Sequence, residues 1–172
     1  MVASPILIAQ TQFSTLSYPF AHLPAMENRT QAEAIFQARL SAWRLAREFL
    51  ERFCAGASIP KRPSLQLNLV LEELFTNTVN HGHCGDCDFL IRISLTAREF
   101  DVAVTYADQG PPFNPLAMAK AQLDVPLDER EIGGLGVHLT TELTTASDYA
   151  YVYGRNRLRL LLPTLAKKQE ET

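Results

Sequence analysis

The sequence of 172 residues has few cysteines, no long apolar run and no block of basic residues. Three cysteines are too few, and odd in number, for the disulfide framework of a small secreted protein. No stretch reaches the roughly 20 apolar residues that a membrane-spanning helix needs, and the N-terminal residues lack the basic start of a signal peptide. A net charge of −3 without a run of basic residues does not indicate a nucleic-acid-binding surface. We therefore expect a cytoplasmic protein that binds neither membrane nor nucleic acid.

Length and composition predict one folded domain. Hydrophobic residues make up 47% and charged residues 20%, which is ordinary for a globular chain of this length. We assign no pattern to residues 1–13, expect the domain over residues 14–163, and expect a polar tail over residues 164–172. An edge strand is predicted within residues 14–23, limited by Pro19, which cannot donate a hydrogen bond to a sheet.

Two helices are predicted in the first half of the chain. Thr30-Gln-Ala-Glu33 matches a capping box, and apolar residues recur after it at helical spacing, which predicts a helix over residues 31–53. Ser64 is a suitable cap for a second helix over residues 65–81.

Strands dominate the second half. Residues 89–95 and 100–106 alternate between polar and apolar side chains, which predicts two adjacent antiparallel strands. The whole pattern predicts an α+β, two-layer sandwich in which helices cover one face of a mixed, mostly antiparallel sheet. Three further elements are expected: a segment that is mostly loop and long enough to be a lid (109–134), a helix (137–145) and a closing hairpin (150–153 with 158–162).

The second helix carries a polar stripe beside its apolar one. At 100° per residue, Asn77, Asn80 and His81 fall within about 80° of Glu73, whereas Glu72 points elsewhere, at about −100°. A solvated face is the ordinary explanation, but such faces usually carry lysine and glutamate, and two asparagines lower helix propensity. An amide one turn after a carboxylate suits a Mg²⁺–triphosphate site, since Mg²⁺ prefers oxygen ligands and takes one or two from the protein.

Two glycine-containing segments are individually weak signals. Asp108-Gln-Gly110 follows a strand, and alone it predicts an ordinary turn. Gly133-Gly-Leu-Gly136 opens a predicted helix, where backbone N–H groups and the helix N-terminus can hold a phosphate, although a flexible loop end is the alternative. The sequence has neither a Walker A motif nor a Rossmann fingerprint.

Taken together and in this order, the polar segments resemble the GHKL (histidine-kinase-like) ATP-binding fold. Within it they are most similar to the small serine kinases that act as bacterial anti-sigma factors, the RsbW and SpoIIAB type. The resemblance covers roughly residues 20–163 and implies ATP and Mg²⁺ as cofactors. The matching motifs are Glu73-x-x-x-Asn77, Asp108-x-Gly110-x-x-Phe113 and Gly134-Leu135-Gly136.

The resemblance also implies roles for single residues. Glu73 corresponds to the general base and Asn77 to the metal ligand, while Asp108 corresponds to the residue that accepts a hydrogen bond from the adenine amino group. The branch often has a basic residue directly before the lid glycines, whereas here Arg130 is the nearest candidate. The other residues implied to bind the nucleotide are Asn80, His81, Gly110, Phe113, Arg130, Gly133, Gly134, Leu135 and Gly136.

The function implied by the resemblance is a serine kinase that doubles as an anti-sigma factor. It would phosphorylate an anti-sigma-factor antagonist of the STAS fold and hold a sigma factor or a similar regulator, and homodimers are common in this branch. A nucleotide-binding partner switch without phosphotransfer remains the alternative, because the position of Arg130 leaves the transfer step open. Zinc binding by residues 81–87 is a competing interpretation, but the second ligand pair that structural zinc sites usually need is missing from the sequence.

Overall fold

Five strands form one sheet in the computed structural model, which describes residues 30–82, 85–117 and 140–164. The strands are β1 (Gln31–Gln37), β2 (Leu90–Ala97), β3 (Asp101–Asp108), β4 (Ala146–Val152) and β5 (Arg155–Pro163). Their order in the sheet is β1-β2-β3-β5-β4, and all four neighbouring pairs are antiparallel. This confirms the predicted α+β fold; the sheet, predicted to be mixed and mostly antiparallel, is antiparallel throughout the described strands.

Two helices, α1 (Trp43–Gly56) and α2 (Lys61–Asn77), supply the other half of the core. Each buries an apolar stripe, and the strands alternate between buried and partly exposed residues, so that one sheet face meets the helices. None of the helices in the described ranges is long and apolar enough to cross a membrane. The largest fully buried side chains are Phe75, Leu50, Leu67, Leu71, Ile91, Ile93, Leu95 and Leu160.

The predicted first helix is wrong in its first half. Gln31–Gln37 form β1, which pairs with β2, and helical structure starts only with a 3₁₀ turn at Leu40–Ala42 before α1. Without β1, the edge of β2 that does not face β3 would lack hydrogen-bond partners. The stabilisation from pairing at this edge outweighs the helical preference of the local sequence. Glu33 does not close a capping box, because its carboxylate accepts hydrogen bonds from Arg92 and Ser94 across the sheet.

The second helix has the predicted position but different ends. It begins at Lys61, so Ser64 lies inside the helix and Pro60 takes the cap position. The five residues that follow Asn77, Thr78–Gly82, form a π-helical turn. A π turn contains more residues than an α turn, so each residue advances by less than 100° and the predicted angles fail beyond Asn77.

The paired strands of the second half are confirmed. β2 and β3 are antiparallel neighbours, and β4 and β5 form the closing hairpin, with both strands longer than predicted. Tyr153 and Gly154 make the hairpin turn with φ of 53° and 72°, the left-handed region that two-residue turns of this hand require. Residues 140–143 are helical, as predicted. The predicted edge strand, most of the predicted lid and the C-terminal tail lie outside the described residues.

Candidate functional site

A pocket open to solvent lies between the end of α2 and the strands β3, β4 and β5. Its lining combines apolar and aromatic side chains with a carboxylate and two amides, which is the composition of many small-molecule sites. The lining residues are Leu74, Asn77, Thr78, Tyr106, Asp108, Phe113, Pro115, Tyr149, Asn156 and Leu158.

Asp108 is the last residue of β3 and is only 7% exposed. Strand alternation puts it on the helix-facing side of the sheet, like Tyr106 two residues before it. Its Oδ1 atom accepts hydrogen bonds from the backbone N–H of Gly110 at 2.7 Å and from Nδ2 of Asn156 at 3.0 Å. The first bond forms the turn expected of an Asp-x-Gly sequence, and Gly110 is buried beneath it.

Asn156 connects Asp108 to the loop that follows it. Asn156 lies opposite Asp108 in the β3–β5 register, and its Nδ2 also donates to the carbonyl oxygen of Pro111 at 2.9 Å. Its Oδ1 accepts hydrogen bonds from the backbone N–H of Phe113 at 2.9 Å and from the hydroxyl of Tyr149 at 2.7 Å. The amide therefore holds the whole Asp108–Phe113 turn against the sheet.

Sequence reasoning did not identify Asn156 or Tyr149 as site residues. The available signal was the inward-facing side of β5, where Asn156 precedes Leu158, Leu160 and Leu162 in a row that is otherwise apolar. A buried amide at such a position needs hydrogen-bond partners, and those partners are the loop atoms.

Tyr149, on β4, completes the network. Its hydroxyl donates to Asn156 and accepts a hydrogen bond from the N–H of Phe113 at 3.1 Å. Burial raises the pKa of Tyr149 and the negative charge of Asp108 raises it further, so the hydroxyl stays protonated and able to donate at neutral pH. The ring of Phe113 is 37% exposed beside this network.

Glu73 and Asn77 lie one turn apart near the end of α2. Nδ2 of Asn77 donates to Oε1 of Glu73 at 2.8 Å, and Asn77 lines the cavity. Because a carboxylate can only accept, the amide nitrogen must face Glu73, and this leaves Oδ1 as the atom for a cation. Glu72 is exposed whereas Glu73 is partly buried, which agrees with the predicted difference between the two glutamates.

The remaining predicted site residues are dispersed or not described. Asn80 and His81 are exposed residues of the π turn and do not line the cavity. Arg130, Gly133, Gly134, Leu135 and Gly136 lie outside the described residues, as do His83 and Cys84 of the alternative zinc cluster. Within the described ranges, no group of histidine, cysteine and acidic side chains is arranged to hold a metal ion.

Comparisons with known proteins place the chain in a family. Residues 36–162 match the model of the histidine kinase-like ATPase domain, so the chain belongs to that family, and family membership implies ATP binding. The resemblance to the GHKL (histidine-kinase-like) ATP-binding fold is thereby confirmed.

One solved structure with a similar fold contains the RsbU and RsbW domains of Rv1364c from Mycobacterium tuberculosis. The TM-score is 0.52 and the identity 18%, over 80% of this chain and 34% of that one, which shows a shared fold. The present chain thus spans about a third of the length of that structure. No curated protein matches the sequence significantly.

Proposed function

We propose that the chain is an ATP- and Mg²⁺-dependent serine kinase of the partner-switching kind. Its substrate would be an anti-sigma-factor antagonist of the STAS fold, and its second partner a sigma factor or a similar regulator. The observation that carries the proposal is that one cavity is lined both by the buried carboxylate of Asp108 and by the amide of Asn77, which is bonded to Glu73. The RsbW domain in the similar structure supports this class of function.

The strand side of the cavity suits adenine. Asp108 is a buried acceptor held in place by Gly110 and Asn156, so it can accept a hydrogen bond from the adenine amino group without rearrangement. Guanine presents a carbonyl oxygen at the equivalent position, and that oxygen would face a carboxylate. We therefore expect ATP to bind more tightly than GTP.

The helix side suits the phosphates. Oδ1 of Asn77 would bind Mg²⁺, which neutralises phosphate charge when bound, and the phosphates and water would supply its other ligands. By family resemblance, Arg130 and residues 133–136 would contact the triphosphate. Glu73 would orient the serine hydroxyl of the partner and accept its proton. The serine oxygen then bonds to the γ-phosphorus, and the bond to the bridging oxygen breaks to release ADP.

The expected consequence for the partner is electrostatic. A phosphoserine adds close to two negative charges, about −1.5 to −2, to the antagonist surface, which would weaken its complex with the kinase. The released kinase would then be available to its regulator. This part of the proposal rests on the family resemblance.

The test of the proposal is transfer of phosphate from ATP to purified STAS-domain proteins of the same organism, followed by mass spectrometry of the serine. Glu73→Gln should abolish phosphoserine formation and retain ATP binding. Glu72→Gln is the matched control, because Glu72 is exposed on another side of α2 and should behave like the wild type. Equal transfer by Glu73→Gln and the wild type would remove Glu73 from the mechanism.

The second candidate function is a nucleotide-dependent partner switch without transfer. The hydrogen bond from Asn77 to Glu73 favours it, because a carboxylate engaged in holding the metal ligand has a positioning role that needs no proton transfer. In that case wild-type protein would bind partners differently with ATP and ADP and would leave every serine unmodified.

A further inference from the structure

The polar end of α2 changes geometry directly after Asn77. The α-helical part ends at Asn77, and Thr78–Gly82 form the π turn. π-helical turns are rare and are frequently found at functional sites. This one begins directly after Asn77, which lines the cavity and is hydrogen-bonded to Glu73.

One buried side chain from the sheet reaches this junction. The hydroxyl oxygen of Tyr106 lies 2.9 Å from Oγ1 of Thr78 and 3.3 Å from the carbonyl oxygen of Leu74. Leu74 belongs to the last α-helical turn and Thr78 is the first residue of the π turn. Burial raises the pKa of Tyr106 well above its ordinary value, so the hydroxyl remains a neutral hydrogen-bonding group.

We propose that Tyr106 is a positioning residue that fixes the α-to-π change at Thr78 and thereby places Asn77 and Glu73. The role of those two residues rests on the proposed function. Tyr106 lies two residues before Asp108 on β3, so one strand both presents the adenine acceptor and anchors the helix end. The hydroxyl of Tyr106 thus connects the helix side of the cavity, where Asn77 lies, to the strand side, where Asp108 lies.

Removing that hydroxyl should leave the fold intact. In Tyr106→Phe the ring still fills its place among the buried residues of β3. The hydroxyl of Thr78 can turn to the carbonyl oxygen of Leu74, as threonines inside helices commonly do. The helix end then loses its connection to the sheet, and small displacements of catalytic groups have large effects on transfer.

Hydrogen exchange of the nucleotide-free protein tests the anchor directly. We expect the amides of residues 78–82 to exchange about three- to tenfold faster in Tyr106→Phe than in the wild type, the effect of losing one hydrogen bond. Tyr153→Phe is the matched control, because Tyr153 is 99% exposed in the hairpin turn and should leave exchange unchanged. Unchanged exchange in Tyr106→Phe would overturn the proposal.

ATP titrations with and without Mg²⁺ test the positioning role. In Tyr106→Phe we expect the gain in affinity from Mg²⁺ to fall about three- to tenfold, a larger loss than any in affinity without Mg²⁺. A purely structural role would lower affinity equally with and without Mg²⁺, and that result would contradict the positioning role.

The two experiments also separate this inference from the proposed function. If the wild type failed to bind ATP, the proposed function would be wrong, and the exchange measurement would still decide whether Tyr106 anchors the helix end.

Discussion

The two ends of the cavity are built in different ways. At the strand end, the β3–β5 register sets the buried Asp108 opposite the buried Asn156, and hydrogen bonds to Gly110, Phe113 and Tyr149 complete a partly buried network. At the helix end, Asn77 is bonded to Glu73 on a partly exposed face. Sheet register therefore fixes the strand end, where we propose that the base binds, whereas the helix end is held by a contact within α2 and by the hydroxyl of Tyr106.

The largest expected effect comes from breaking the strand-end network at its centre. Asn156→Leu removes one hydrogen bond each from the carboxylate of Asp108, the carbonyl of Pro111 and the N–H of Phe113. We expect the free energy of unfolding to fall by about 3 kcal/mol, measured by urea denaturation, because each lost hydrogen bond costs about 1 kcal/mol.

A graded variant sharpens the result. Tyr149→Phe removes the hydroxyl that donates to Asn156 and should cost about 1 kcal/mol. Tyr151→Phe, which alters a 44% exposed side chain on the same strand, is the control and should change stability little. Equal losses in all three variants would mean that the network is not what stabilises the turn.

The second effect concerns base recognition without loss of stability. In Asp108→Asn the side-chain oxygen can still accept from Gly110 and Asn156, but an N–H₂ group now faces the adenine amino group. We expect ATP affinity, measured by calorimetry, to fall about a hundredfold, with little change in unfolding. Asp148→Asn is the matched control, since Asp148 pairs with Arg159 outside the cavity. Retained ATP affinity in Asp108→Asn would contradict the role proposed for this carboxylate.

The contrast between the ends also explains what the sequence could predict. Asp108-x-Gly110 and Glu73-x-x-x-Asn77 are local patterns whose geometry follows from a turn and a helix, so their residues could be identified in advance. Asn156 reaches the site through strand pairing across 48 residues, and no local pattern encodes that pairing.

The same reason accounts for the errors in the fold. Residues 31–37 have a helical apolar pattern, yet they form β1 because β2 offers a pairing edge from far along the chain. The π turn after Asn77 depends on Tyr106, a strand residue, and could not be read from α2 itself. The strands β2 and β3 were predictable because polar and apolar residues alternate along them, and β5 because it follows a glycine-containing turn in a hairpin pattern.

The third effect belongs to the helix end and should appear only with the metal. Asn77→Ala removes the proposed Mg²⁺ ligand and the hydrogen bond to Glu73. We expect ATP affinity to fall about tenfold in the presence of Mg²⁺ and to change little in its absence. Asn68→Ala is the control, because Asn68 bonds to the backbone of Ser64 earlier in α2. An equal loss without Mg²⁺ would show that Asn77 contacts the nucleotide rather than the metal.

The smallest expected effect is on the pH dependence of stability, and it concerns the other end of β3. Asp108 is the last residue of this strand and Asp101 is the first. Burial raises the pKa of Asp101, and the ion pair with Arg98 at 3.0 Å only partly offsets this. The folded state therefore holds a proton more tightly than the unfolded state, so stability should fall as pH rises from the ordinary aspartate pKa of about 4 through the raised value.

We expect Asp101→Asn to remove a decline of a few tenths of a kcal/mol, seen as the difference between the urea unfolding profiles of variant and wild type over that range. ATP affinity should be unaffected, because Asp101 lies at the far end of the strand from the cavity. Parallel pH profiles for the two proteins would contradict the assignment and would mean that Arg98 fully compensates the burial of Asp101.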